Sequence, residues 1–123
     1  MKKPFILIVN DDPNSCKLFQ TYCRLAGYEA SSVGSAEQAL EQFVIAHPDL
    51  IILDMKLPGM DGMVFLRILK ANPSTDTIRV VVTTVYSEHY NQKQVLEAGA
   101  DGFLAVPNDR EMIMKLVTKT LSE

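Results

Sequence analysis

Acidic residues follow two short apolar runs of this chain. Asn10, Asp11 and Asp12 come directly after the run from Phe5 to Val9, and Asp54 comes directly after Leu50 to Leu53. If both runs are strands of one sheet, at least two carboxylates converge at their ends. Like charges held together repel, and each loses hydration when partly buried, so the arrangement is unfavourable unless a cation joins them. Hard oxygen donors in a site open to water suit Mg²⁺, which takes one or two carboxylates and completes its octahedron with water or phosphate oxygens. Asp12 has a second reading as the N-cap of a helix that starts at Pro13. For Asp54 the alternative is an ordinary turn residue at a strand end.

The elements that must position these groups can be traced along the chain. Near-continuous apolar segments at Phe5–Val9, Leu50–Leu53 and Val80–Val82 are what strands covered on both faces require, and weaker strands fit Tyr28–Val33 and Gly102–Val106. Helical spacing fills the intervals. Helix one starts at Asp12-Pro13, shows Leu18, Tyr22 and Leu25 as its apolar stripe and stops at Gly27. Helix two opens with the capping-box pair Ser35 and Gln38 and carries Ala36, Ala39, Leu40, Phe43 and His47 up to Pro48. Helix three runs from about Gly62 to Asn72-Pro73, with Phe65, Ile68 and Leu69 inward. Helix four, Ser87 to about Ala98, has only Val95 and Leu96 as strong apolar residues and should be the least anchored. Helix five follows the pair Asn108 and Glu111, with Met112, Ile113, Leu116, Val117 and Leu121 apolar.

Strand and helix therefore alternate five times. Right-handed crossovers with helices on both faces predict an α/β fold, a flavodoxin-like doubly wound (βα)5 three-layer sandwich with parallel sheet order 2-1-3-4-5. Its switch point lies between strands one and three, which is where the acids stand.

Composition narrows the function. A chain of 123 residues has room for one domain, expected to span 1–123. Apolar residues at 47% and charged residues at 22% match globular proteins and argue against disorder or a coiled coil. A net charge of −3 is too acidic for direct nucleic-acid binding. The apolar run after Lys2-Lys3 is too short for a signal or a membrane span, so no membrane role is expected. Cys16 and Cys23 sit on one predicted helix with Cα atoms about 10 Å apart, beyond disulfide reach, and read as reduced thiols of a cytoplasmic protein. No Ser-His-Asp or Cys-His arrangement appears, and His47 and His89 are isolated, so an enzyme in the ordinary sense is not expected. Acids after strand one also argue against a flavin phosphate there, which would need backbone amides without competing charge.

The segment Pro48-Asp49-Leu50-Ile51-Ile52-Leu53-Asp54-Met55-Lys56-Leu57-Pro58-Gly59-Met60-Asp61-Gly62 closely resembles the phosphoacceptor segment of the receiver domain of bacterial response regulators. Val9-Asn10-Asp11-Asp12-Pro13 is similar to that family's acidic motif, and Leu96-Glu97-Ala98-Gly99-Ala100-Asp101-Gly102-Phe103-Leu104 to its approach to strand five, so the resemblance covers the whole chain. It implies that Asp54 accepts a phosphoryl group from a histidine kinase, a phosphotransfer protein or a small phosphodonor. It further implies Mg²⁺ held by Asp11, Asp54 and the backbone carbonyl of Lys56, a switch hydroxyl at Thr84 and a switch aromatic at Phe103. The protein would at most assist its own phosphorylation and dephosphorylation. The readout would be a surface of helix four, strand five and helix five, met by a downstream protein, an output domain or a second copy in a homodimer.

Three positions depart from the family. Val106 stands where active receivers carry a lysine that contacts the phosphoryl oxygens. Asn10 replaces the usual first acid, and Val85 a small residue beside Thr84. Lys56 is placed to swing its ammonium toward Asp54 in partial replacement, or to stay in solvent. Two functions follow: a phosphorylatable receiver with weakened phosphoryl chemistry, favoured by Asp11, Asp54 and Thr84, or a degenerate receiver acting as a phosphorylation-independent interaction module, favoured by Val106 and Asn10.

Overall fold

The structure, a computed structural model, describes residues 3–85, 92–106 and 110–123, without the side chains of Val85 and Val106. Ten elements alternate in chain order: β1 (Phe5–Val9), α1 (Pro13–Leu25), β2 (Glu29–Val33), α2 (Ala36–Ile45), β3 (Leu50–Asp54), α3 (Gly62–Ala71), β4 (Arg79–Val85), α4 (Gln92–Glu97), β5 (Gly102–Val106) and α5 (Arg110–Leu121). All strand pairs are parallel, in the order β2-β1-β3-β4-β5. The expected doubly wound sandwich is therefore the observed fold.

Sequence and burial agree most closely in the centre. Ile6 to Val9 and Leu50 to Leu53 are essentially inaccessible because helices cover both faces of β1 and β3. On one face, Leu7, Val9, Ile51, Leu53, Val80 and Val82 pack against Ala36, Phe43, Phe65, Leu66, Leu69 and Val95 of α2, α3 and α4. On the other, Ile6, Ile8, Leu50, Ile52 and Val81 pack against Cys16, Phe19 and Cys23 of α1 and Ile113 and Val117 of α5. Phe43 and Phe65 stack at 6.3 Å between centroids, seating α2 beside α3. The edge strand β2 is only partly buried.

Several helical stripes are rotated from their sequence reading. In α1 the inward residues are Cys16, Phe19 and Cys23, whereas Leu18 and Leu25 are 49% and 67% exposed. The phase is set at the entry to the helix, where the Cys16 thiol donates to the Asn10 carbonyl at 3.2 Å and the Asp12 side chain accepts from Asn14 N–H. In α3, Phe65 and Leu69 are inward as expected, joined by Leu66, while Ile68 faces outward; of the two apolar residues of α4, Val95 is buried and Leu96 exposed. His47 lies beyond the end of α2, exposed, with its ring edge-on to Phe43. Ser35 caps α2 as expected, but the Gln38 side chain accepts from Gly34 N–H instead of closing the box on Ser35. Ser87, His89 and Asn108, with the expected start of helix four and the cap of helix five, lie outside the described residues.

Two further contacts fix the frame. Lys70 of α3 donates to the carbonyls of Ile78 (2.7 Å) and Asp76 (3.3 Å) and pairs with Asp101 at 3.3 Å, while Asp101 accepts from Val80 N–H. At the far end of α5, the Tyr28 hydroxyl and Thr118 Oγ1 are 3.0 Å apart, and the Arg79 guanidinium donates to the Glu123 carbonyl. Cys16 and Cys23 are both buried free thiols.

Candidate functional site

Register brings the sequence-predicted residues to one edge. Val9 pairs with Leu53, and Asp54 with Thr83, so the segment after β1 and the end of β3 lie side by side at the carboxyl edge of the sheet. Thr84 is buried and in register with Ala105, one step beyond Thr83. Phe103 pairs with Val82, is partly buried and packs on the α2–α3–α4 side. By strand alternation Thr84 shares that side with Val82. Val106 closes β5 opposite Val85; the side chains of both lie outside the described residues.

The three acidic-motif residues have separate structural tasks. Asn10 is buried, and its side-chain oxygen accepts from Asp12 N–H at 2.9 Å, forming the turn by which the chain leaves β1. Asp12 is the N-cap of α1, accepting from Asn14 N–H and from the Ser15 hydroxyl at 2.8 Å. The Ser15 hydroxyl, ahead of the other contacts, holds the Asp12 carboxyl below its ordinary pKa. Asp11, between them, is exposed.

Asp54 differs from an ordinary turn residue. It is partly buried, and burial pushes its pKa above the usual carboxylate value. The Lys56 N–H, donating to Oδ1 at 3.2 Å, pulls the pKa down; the charge of Asp11 raises it again, and the charge of Lys56 lowers it. Lys56 thus acts on Asp54 through space without an ion pair; among the described residues the one ion pair is Lys70 with Asp101. Cys16 reports the same crowding. Its thiol pKa is raised first by burial and further by Asp12, Asp11 and Asp54, and the hydroxyl of Ser32 works against this.

These oxygen donors fit a hard divalent cation. Two carboxylates face each other's charge, one of them partly desolvated, and among the described residues neither forms an ion pair. Among the described residues no group of three His, Cys, Asp or Glu side chains is placed to hold a metal. An ion here would therefore draw on two carboxylates and take its other oxygens from backbone and solvent, the all-oxygen ligation that suits Mg²⁺ and not the softer metals, which favour imidazole and thiolate.

Two residues near the pocket escaped sequence reading. Asp61 is the N-cap of α3, accepting from Val64 N–H at 2.9 Å, and was legible as an Asp just ahead of a helical pattern. Glu37 in the first turn of α2 accepts from Met60 N–H at 3.2 Å. No local pattern marks it, because the partners come from different elements.

Carboxylates thus stand at the switch point of a doubly wound five-stranded sheet. Residues 6–118 match the response regulator receiver domain, and the chain belongs to that family. It is 36% identical over 112 residues to the phosphate regulon transcriptional regulatory protein PhoB of Pseudomonas aeruginosa, covering 90% of this chain and 49% of that protein. The response regulator PleD of Caulobacter vibrioides is also 36% identical over 112 residues, which cover 91% of this chain and 25% of PleD. The chain thus spans about half or less of the length of these relatives. Among solved structures, the signal receiver domain of a signal transduction histidine kinase from Syntrophus aciditrophicus superposes with a TM-score of 0.89 at 33% identity, over 97% of this chain and 90% of that one. Receiver domains are signalling domains of two-component systems, working with histidine kinases and output domains, and Mg²⁺ binding and phosphorylation are typical of them.

Proposed function

We propose that this chain acts, as one unit over residues 1–123, as a phosphoacceptor receiver with Asp54 as the accepting carboxylate. The observation that carries the reading is the partly buried Asp54, its pKa raised by burial and by Asp11, at the β1/β3 switch point. A carboxylate oxygen of Asp54 attacks the phosphorus of a phosphohistidine or small phosphodonor, the bond to the donor breaks, and the donor leaves with its electron pair. Asp11, Asp54 and the Lys56 carbonyl would hold Mg²⁺, which supplies neutralisation of the charge on the transferring phosphoryl group. Asn10 and Asp12 fix the turn that presents Asp11. The Thr84 hydroxyl turns toward the new phosphoryl oxygens, and Phe103, on the same side of the sheet, responds to the space it leaves.

The readout is the face formed by α4, β5 and α5, addressed by a downstream protein, an output domain or a second copy. A histidine kinase or phosphotransfer protein supplies the phosphoryl group. No described helix is long and apolar enough to cross a membrane, and with two buried free thiols this supports a cytoplasmic setting. Val106, in place of the family lysine, favours a slow or weak response, and at the limit a module that binds partners without phosphorylation.

Acetyl phosphate with Mg²⁺, followed by intact mass, tests the assignment. One phosphoryl adduct on the wild type, absent from Asp54→Ala and absent with chelator, is expected. An unmodified wild type moves the reading to the phosphorylation-independent module, and an adduct that persists in Asp54→Ala refutes the role of Asp54.

A further inference from the structure

The loop from Lys56 to Asp61 carries the carbonyl assigned above to Mg²⁺, so its rigidity bears on the pocket. Its fastenings at the base are local. Lys56 N–H bonds to Asp54 Oδ1, and Gly62 N–H donates to the Met55 carbonyl at 3.1 Å. Gly62 packs so closely that a Cβ there would lie 2.6 Å from Met55 Cα. The tip is held differently. Glu37, projecting from the first turn of α2, brings Oε2 to 3.2 Å from Met60 N. The same oxygen would sit 2.6 Å from a Cβ on Gly59, whose φ of +70° places it in the left-handed region. Carboxylate and glycine are fitted to each other: a side chain at position 59 would push the Glu37 head group aside and be strained as well. Among the described residues, this is the one hydrogen bond that ties residues 57–60 to another element.

We infer that Glu37 is a positioning residue for the acid pocket, tying the loop that bears the Lys56 carbonyl to α2 so that the pocket's backbone oxygen is ordered before a cation arrives. The inference rests on the Mg²⁺ reading of the pocket. Its physical basis is that a backbone ligand on a loose loop must lose conformational freedom when it binds, and a hydrogen bond at the loop tip removes part of that freedom in advance. Groups that orient metal ligands without touching the metal typically change affinity about tenfold or more when removed.

Three substitutions separate the hydrogen bond from the charge. Glu37→Gln keeps an acceptor of the same reach and loses the charge. Glu37→Asp keeps a first-turn charge but is one methylene too short, and Glu37→Ala loses both. Mg²⁺ affinity is measured by calorimetry, and the exchange rate of the Met60 amide is measured by NMR in the metal-free protein. The expected result is roughly tenfold weaker Mg²⁺ binding and faster Met60 exchange in the Asp and Ala variants, with Gln close to wild type in both. Gly59→Ala should behave like Glu37→Ala in both readouts. If Asp resembles wild type and Gln resembles Ala, charge and not the bond is responsible, and the inference is overturned. Unchanged affinity in all Glu37 variants, alongside lost affinity in Asp54→Asn, overturns the positioning role and leaves the pocket assignment standing. Unchanged affinity in Asp54→Asn overturns both.

Discussion

Replacing Asp54 by asparagine should stabilise the metal-free protein and remove its response to Mg²⁺, so that the two proteins exchange rank when the ion is added. Asparagine keeps the shape and the acceptor for Lys56 N–H while removing a charge that burial and Asp11 both disfavour. An unpaired, fully buried ionised group carries a penalty of several kcal/mol, but Asp54 is only partly buried and solvent screens it, so about 1 kcal/mol is the reasonable scale. With 123 residues, the unfolding entropy near the midpoint is about 0.26 kcal/mol per kelvin, and 1 kcal/mol corresponds to roughly 4 °C. Differential scanning calorimetry in chelator at neutral pH should therefore place Asp54→Asn about 4 °C above wild type. With Mg²⁺ a hundredfold above its dissociation constant, wild type gains about 2.7 kcal/mol, near 10 °C, and the variant far less. The chelator difference also has a definite pH dependence. Because the folded protein holds the Asp54 proton more tightly than the unfolded chain, the carboxylate lowers stability above its raised pKa. That loss fades as the pH falls through the raised value toward 3.8, and the two curves should meet in acid. A variant less stable than wild type in chelator, or equal Mg²⁺ stabilisation of both, would refute the account of the pocket as an unneutralised pair of carboxylates.

Val106→Lys should restore an ammonium at the family's phosphoryl-contact position and strengthen binding of a phosphoryl mimic such as beryllofluoride by about tenfold or more, read by fluorescence or calorimetry; an unchanged affinity would show that Val106 does not limit the response. Burial pushes the Cys23 thiol up to about 11, so iodoacetamide at pH 8 should label it only after unfolding, as intact mass with and without urea will show. Lys70→Met removes the ammonium shared by two carbonyls and Asp101 and should lower stability by about 1 kcal/mol, since the partly buried Ile78 carbonyl loses its ammonium donor; a urea midpoint within error of wild type would show that solvent satisfies it equally well.

The centre of the fold could be read from three apolar runs, since strands buried on both faces advertise themselves without reference to their neighbours, whereas β2 and β5 followed from the alternation of strand and helix. Helix orientation was harder. In α1 the leucines promise the inner face, but the chain leaves β1 through the Asn10 turn and the Cys16–Asn10 contact, and this entry rotates Cys16, Phe19 and Cys23 inward instead. At the pocket, Asp11 and Asp54 were visible because charge at the end of an apolar run is conspicuous. The task of Asn10 in the turn and the reach of Glu37 to Met60 were not, because both depend on where the backbone goes after the strand ends.

The way α5 is secured decides how it can move. The Tyr28–Thr118 contact, the grip of Arg79 on the Glu123 carbonyl and the buried Thr120 all lie at its carboxyl end, over the opposite edge of the sheet from the acids. A rod about 18 Å long, fastened there by polar contacts and seated along its length by the buried Ile113 and Val117, would turn about that end, and a tilt of a few degrees would carry its near end by about an ångström, enough for a docked protein to sense.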